Sequence, residues 1–264
     1  MVAAPESLVT EVLSYVDYAA LVYCEKITQD MVKGTQFHRR IRDLETLTTA
    51  HVFMNKKTKE IIVTFRGCDS YAKFKQGHDT TKHALYNIPG PKVHANVQRF
   101  TLSIYTRLLK AISNLRMYHP RYRVVLVGHS LGGAIATLMA PYVTSYLLIN
   151  PRNIRIITYN QPRVGDRKFA EYYNSLNFNL TRVVNKDDPV PNYPPFEADW
   201  VHVHREMYID ENNIFFLCNT ASFEDPSCSH NKYNTITLLY RHNYVATREI
   251  SFQASHPNLK DIQC

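Results

Sequence analysis

The 264-residue sequence predicts an α/β protein with a central, mostly parallel sheet flanked by helices. Short β-branched runs alternate with helical segments along the chain, which is typical of βαβ units. In two of the four helical segments the apolar residues recur on one face. No repeat, low-complexity tract or linker divides the sequence, so we expect one domain over residues 1–264.

Four short apolar runs predict the buried strands of this sheet. Each run is rich in the β-branched residues that favour strands. Because the carboxyl ends of parallel strands share one edge of a sheet, we expect a ligand to bind at that edge. The runs are residues 61–65, 124–127, 154–158 and 180–184.

Four segments predict the helices that cover the sheet. Two long ones have apolar side chains on one helical face, and the second of these ends before Pro120. A third is apolar on nearly all sides, which predicts a buried helix. The segments are residues 7–24, 97–115, 131–146 and 167–176.

Composition limits the function classes. The formal net charge is +8, but the densest basic runs, Lys56-Lys57 and His38-Arg39-Arg40, are short. We therefore expect no nucleic-acid partner. No run reaches the roughly 18 apolar residues that span a bilayer, which predicts no transmembrane segment. The N-terminus lacks a signal-peptide pattern, so a secreted protein would be represented here by its mature form.

The most informative motif is Gly128-His129-Ser130-Leu131-Gly132, between a predicted strand and a predicted helix. G-x-S-x-G in this context is typical of a nucleophile elbow, because only small residues fit two positions either side of so sharp a turn. The competing interpretation is a glycine-rich turn with a bystander serine. We expect Ser130 to be a catalytic nucleophile.

A serine hydroxyl needs a general base, and the base needs an orienting carboxylate. In this type of fold the acid follows a later strand and the histidine comes later still. Asp187 and Asp188 both follow residues 180–184. The candidate histidines are His202, His204, His230, His242 and His256, and His242 stands out because it follows an apolar run late in the chain. This chemistry requires no metal and no cofactor.

Residues 122–136 closely resemble the class 3 lipases, the fungal triacylglycerol lipase family. Further blocks match in order, including Phe65-Arg66-Gly67, Gln161-Pro-Arg-Val-Gly165, Asp188-Pro-Val-Pro191 and His242-Asn-Tyr244. The resemblance implies the α/β-hydrolase fold and cleavage of lipid esters through an acyl-enzyme. It selects Asp188 over Asp187 as the acid and His242 as the base, and it implies that His202 is structural.

The resemblance also implies an oxyanion hole made by Leu131 and by Cys68, which stands where the family usually has Ser or Thr. A thiol is a weaker donor than a hydroxyl. The lid expected after Cys68 has only Tyr71 and Phe74 as large apolar residues. Strong activation at a lipid–water interface is therefore not expected from this segment.

Five cysteines leave at least one thiol unpaired. Cys218 and Cys228 flank a short loop, and Cys24 and Cys264 lie near the two chain ends, which favours two disulfides that the family resemblance also implies. The alternative is five reduced cysteines in a cytosolic protein. With these bridges, we expect a secreted monomer.

The sequence also allows two other functions. An esterase acting on non-lipid esters, such as feruloyl or acetyl groups, would fit the weak lid. A hydrolase-like binding protein that has lost activity would fit Cys68 at the oxyanion position. Reaction with a fluorophosphonate probe separates the enzymes from the binding protein.

Overall fold

The computed structural model describes residues 1–24, 27, 32, 34–68, 80–219, 223–230, 232 and 241–250. Within this part of the chain the strands are β1 (Val2–Ala3), β2 (Thr35–Arg42), β3 (Thr49–Asn55), β4 (Glu60–Phe65), β5 (Lys82–Ala84), β6 (Lys92–His94), β7 (Arg123–His129), β8 (Ile154–Tyr159), β9 (Asn179–Asn185), β10 (Glu206–Ile209), β11 (Phe215–Leu217), β12 (Tyr244–Val245) and β13 (Arg248–Glu249).

The α-helices of the described residues are α1 (Glu6–Ser14), α2 (Val16–Leu21), α3 (Ala95–Tyr118), α4 (Leu131–Leu147) and α5 (Arg167–Ser175). Short 3-10 turns occupy Pro151–Asn153, Val190–Asn192 and Phe196–Ala198. Among the described residues, no helix combines the length and the hydropathy needed to cross a membrane.

One mixed sheet has the strand order β1-β11-β10-β9-β8-β7-β4-β3-β2. Its centre, from β4 through β7, β8 and β9 to β10, is parallel, as the sequence predicts. Antiparallel strands extend both edges. The carboxyl ends of the parallel strands therefore meet along one edge of the sheet.

Both faces of the sheet are buried. One apolar cluster packs α3, α4 and α5 against it, and the other packs α1 and α2 against the opposite face. Central strands such as β4 and β8 are buried at every position, which is why their sequences are continuous apolar runs rather than alternating patterns.

The four predicted strands and three of the predicted helices are confirmed; the strands and the helices predicted at 97–115 and 131–146 are slightly longer than predicted, and the helix predicted at 167–176 ends one residue earlier. The prediction of a single helix over residues 7–24 is wrong, because α1 and α2 are separated at Tyr15. There the Tyr15 hydroxyl donates to a Glu60 carboxylate oxygen at 2.8 Å, at the start of β4. The apolar stripe continues across this break, so periodicity alone does not reveal it.

Candidate active site

Ser130 occupies a sharp turn between the end of β7 and the start of α4. Its φ of 57° and ψ of −130° are rare for a residue with a side chain, and such strain is typical of functional sites. The turn requires glycine on both sides. A Cβ on Gly128 would lie 2.2 Å from the Gly132 carbonyl oxygen, and one on Gly132 would lie 2.0 Å from that of Phe65.

Asp188 lies just beyond the carboxyl end of β9, and its side chain is fully buried. One carboxylate oxygen, Oδ2, is 2.8 Å from Nδ1 of His242. The other, Oδ1, accepts the backbone N–H of Val190 at 3.0 Å. The neighbouring Asp187 forms an ion pair with Arg241 instead, at 3.1 Å. Of the two candidate acids, Asp188 is therefore the one that contacts His242.

The backbone of His242 is held beside the serine turn. Its carbonyl oxygen accepts hydrogen bonds from Asn160 Nδ2 at 2.9 Å and from His129 Nε2 at 2.8 Å. The imidazole centroids of His129 and His242 are 4.7 Å apart. Since His129 directly precedes Ser130, these contacts bring His242 to the elbow. Sequence reasoning missed Asn160, although its position directly after β8 was a usable signal.

Among the described residues, no hydrogen bond joins the Ser130 hydroxyl to the His242 ring. The three predicted residues nevertheless lie at one edge of the sheet, and Asp188 contacts His242. In the absence of substrate, nucleophile–base contacts are commonly longer than in the reacting complex.

The other candidate histidines have different partners. His202 is buried and donates through Nε2 to the Pro191 carbonyl oxygen at 2.8 Å. Burial and the charge of Arg182 hold the pKa of His202 well below its usual range, so it is neutral. His230 contacts Glu224 at 2.9 Å. His204 packs against Phe223, and His256 lies outside the described residues.

The candidate oxyanion groups lie next to Ser130. Leu131 begins α4, where the first backbone N–H groups have no acceptor within the helix. Cys68 is half-buried and directly follows Gly67. A Cβ on Gly67 would lie 3.2 Å from the Ser130 Cβ, so the Gly67–Cys68 turn passes close to the nucleophile. The predicted lid residues Tyr71 and Phe74 lie outside the described residues.

A buried ion pair supports the loop that carries Asp188. Arg163 forms two hydrogen bonds with Glu224, at 2.7 and 2.6 Å, and donates to the Pro194 carbonyl oxygen at 2.7 Å. Burial alone would raise the pKa of Glu224, but the hydrogen bonds and charges of its partners, led by Arg163, hold the pKa well below its usual range. The loop after Asp188 is therefore fixed from its far end.

The structure agrees with the predicted disulfides as far as the described residues reach. Cys218 and Cys228 are bridged. Cys24 is also disulfide-bonded, and its predicted partner Cys264 lies outside the described residues. In the described part of the chain, Glu206 lies near Cys218 and Cys228 in a group of potential metal ligands, but the two sulfur atoms are already bonded to each other.

A cavity of about 470 Å³ lies away from this site. Its lining includes Leu180 and Thr181 at the start of β9 and Glu206 at the start of β10, so it opens at the amino ends of the parallel strands. Ser130, Asp188 and His242 do not line it, whereas the rejected candidate His204 does. The three residues instead lie at the carboxyl ends of the parallel strands, at the opposite edge of the sheet from this cavity.

The sheet, its helices and the strained serine turn define an α/β-hydrolase. Residues 62–198, just over half of the chain, match the family described as lipase (class 3). The chain belongs to the class 3 lipase family.

Individual relatives agree with this assignment. The chain is 28% identical to the lipase of Rhizopus niveus over 261 residues, which cover 94% of this chain and 66% of that protein. It is 29% identical over 161 residues to the secreted mono- and diacylglycerol lipase 1 of Fusarium solani, covering 61% of this chain and 47% of that protein. A solved triacylglycerol lipase with a serine protease triad at its catalytic centre matches with a TM-score of 0.86 at 25% identity, covering 94% of this chain and 97% of that one. The chain thus spans about two thirds of the length of the Rhizopus relative.

Proposed function

We propose that this protein is a serine ester hydrolase that cleaves lipid esters, with acylglycerols as the substrate class. The observation that carries the proposal is the convergence of Ser130, Asp188 and His242 at one edge of the sheet, with Asp188 Oδ2 2.8 Å from His242 Nδ1. Membership of the class 3 lipase family and the names of the relatives support the choice of lipid esters.

In this mechanism the Ser130 oxygen attacks the ester carbonyl carbon while His242 Nε2 accepts the hydroxyl proton. The buried Asp188 carboxylate holds the Nδ1–H tautomer and stabilises the imidazolium. The backbone N–H groups of Leu131 and Cys68 stabilise the oxyanion. His242 then donates its proton to the leaving alcohol, and a water molecule, deprotonated by His242, hydrolyses the acyl-enzyme to release the acid.

We further propose that the protein is a secreted monomer that meets its substrate at a lipid–water surface. The Cys218–Cys228 disulfide supports an oxidising compartment, since such bridges are rare in the cytosol. The Fusarium relative is itself named as secreted.

Labelling with a fluorophosphonate probe tests the nucleophile. The wild type should be labelled on the peptide that contains Ser130, and the S130A variant should not be labelled. The matched control is S229A, because Ser229 is also buried but lies outside the elbow. A folded wild-type protein that resists the probe would contradict the proposal and would favour a binding protein.

A substrate panel tests the lipid assignment. We expect hydrolysis of emulsified acylglycerols and of nitrophenyl esters with medium or long acyl chains. Turnover restricted to acetyl or feruloyl esters would contradict the acylglycerol assignment, while leaving the ester hydrolase intact. The S130A variant gives the background rate for every substrate.

A further inference from the structure

A chain of hydrogen bonds links the oxyanion turn to the backbone of His242. The Gly67 N–H donates to the Tyr23 hydroxyl oxygen at 3.1 Å. The Tyr23 oxygen is 3.0 Å from His129 Nδ1, and His129 Nε2 is 2.8 Å from the His242 carbonyl oxygen. Tyr23 is 4% exposed and His129 is 2% exposed, so both are shielded from water.

Hydrogen-bond chemistry fixes the direction of every contact. A carbonyl oxygen only accepts, so His129 Nε2 must carry the proton that it shares with His242. Burial and the nearby His242 lower the pKa of His129 to about 3, so its ring is neutral and Nδ1 is an acceptor. The Tyr23 O–H must then donate to Nδ1, which leaves the Tyr23 oxygen able to accept from Gly67.

There is no room for a side chain at Gly67, at one end of this chain of hydrogen bonds. A Cβ on Gly67 would lie 2.3 Å from the Tyr23 hydroxyl oxygen and 2.8 Å from the His129 carbonyl oxygen. The turn that precedes Cys68 therefore packs directly on the Tyr23 side chain and on the His129 backbone. Loss of either side chain would leave a buried donor or acceptor unpaired.

We infer that Tyr23 and His129 are positioning residues, which hold the oxyanion turn and the His242 backbone at a fixed separation around Ser130. The inference rests on the proposed ester hydrolysis. Neither side chain is proposed to touch the substrate or to carry its proton. Their effect is geometric, because a displacement of about 1 Å between reacting groups can cost about a hundredfold in rate.

The Y23F variant tests the link with the smallest change. It keeps the ring and removes only the hydroxyl, so the Gly67 N–H and His129 Nδ1 lose their partner. On a soluble nitrophenyl ester we expect kcat to fall about tenfold, with KM within about twofold of wild type. The rate of fluorophosphonate labelling should fall in parallel. The matched control is Y173F, since Tyr173 is equally buried and its hydroxyl has no hydrogen-bond partner among the described residues.

Two variants at His129 separate positioning from packing. H129L removes the donor to the His242 carbonyl, whereas H129Q retains an N–H at a similar reach. We expect H129L to lose at least about tenfold in kcat, and H129Q to recover most of that loss. Asn160 also donates to the same carbonyl, so the protein should remain folded. If H129L does not fold, the comparison of Y23F with Y173F decides the matter.

NMR gives a readout that does not depend on turnover. The ¹⁵N shifts of His129 should report a neutral ring protonated at Nε2 between about pH 5 and 8. A ring protonated at Nδ1, or a Y23F variant with the kcat and labelling rate of Y173F, would overturn the inference. A folded wild type that resists the probe would overturn it together with the proposed hydrolysis. That outcome is distinguished from failure of the inference alone, because it is seen with the wild-type protein before any residue is substituted.

Discussion

At the scale of single residues, the adjacent side chains of Asp187 and Asp188 provide a matched comparison. Asp188 is fully buried against His242, whereas Asp187 is a quarter exposed and pairs with Arg241. We expect D188N to lower kcat by about 10⁴-fold, because an amide no longer enforces the productive imidazole tautomer. D187N should retain most activity. Steady-state kinetics on a soluble ester check both variants, and similar losses in the two would remove Asp188 from the triad.

Cys68 is the second residue that decides how well the site works. Its side chain is half-buried, and a thiol is a weaker donor than a hydroxyl. We expect C68S to raise kcat about fivefold, which corresponds to one added hydrogen bond of about 1 kcal/mol to the oxyanion. C68A is the control for loss of the sulfur, and it should stay near wild type if only the backbone N–H serves. A C68S rate at or below wild type would count against an oxyanion role for this side chain.

At the scale of elements, the start of α4 packs directly on the end of β4. A Cβ on Gly132 would lie 2.0 Å from the Phe65 carbonyl oxygen and 3.0 Å from the Arg66 carbonyl carbon. The G132A variant must therefore move the helix or the strand that leads to Gly67. We expect a loss of about 1–3 kcal/mol or more in unfolding free energy, together with a loss of activity.

The control for that variant is G34A. A Cβ on Gly34 meets nothing within 4 Å, and the cost there comes only from its φ of +80°, about 1 kcal/mol. Chemical denaturation measures both losses. Equal destabilisation in the two variants would show that close packing at the elbow is not what requires Gly132.

How much of the fold could be predicted depended on the type of element. The central strands and the helices that cover them have continuous or strongly periodic apolar patterns, so sequence predicts them. The edge strand β2 was missed, because it carries exposed polar side chains at His38, Arg39 and Arg40 that mask a strand pattern. Strands β10 and β11 were missed because they are only four and three residues long.

The candidate site also has parts that the sequence predicts and parts that it does not. Ser130 could be predicted because the elbow is local, with strand, turn and helix contiguous in sequence. The contacts of His129 with Tyr23 and with His242 span separations of 106 and 113 residues. Such contacts depend on how α2 and the segment after residue 240 approach β7, which no local pattern specifies. The sequence alone therefore indicates neither contact of His129.

At the scale of the whole molecule, buried arginines form ion pairs that connect separate segments of the chain. Arg155 joins β8 to Glu11 of α1, and Arg182 joins β9 to Glu206 of β10. Arg163, in the segment after β8, pairs with Glu224 between Cys218 and Cys228 and also donates to the Pro194 carbonyl oxygen in the loop after Asp188. Each buried arginine needs its carboxylate, because an unpaired buried charge costs several kcal/mol.

Because these pairs depend on ionised carboxylates, we expect acid to lower the stability of the protein. Folding depresses the pKa of Glu224 through the hydrogen bonds and charge of Arg163, despite burial. Its contribution to stability is therefore fully present above the ordinary glutamate value of about 4.3, and it is lost as the pH falls toward the lower folded value. Near neutral pH we expect E224Q to lose about 3 kcal/mol, because Arg163 keeps a buried charge without its counterion.

Denaturation across a pH series measures this effect. The difference between wild type and E224Q should be largest near neutral pH and should shrink below about pH 4, since there the unfolded chain binds a proton at Glu224 that the folded carboxylate takes up only at a lower pH. E45Q is the control, because Glu45 is 80% exposed in its pair with Arg99 and exposed pairs contribute little. A difference between wild type and E224Q that is independent of pH would show that Glu224 acts through packing and not through its charge.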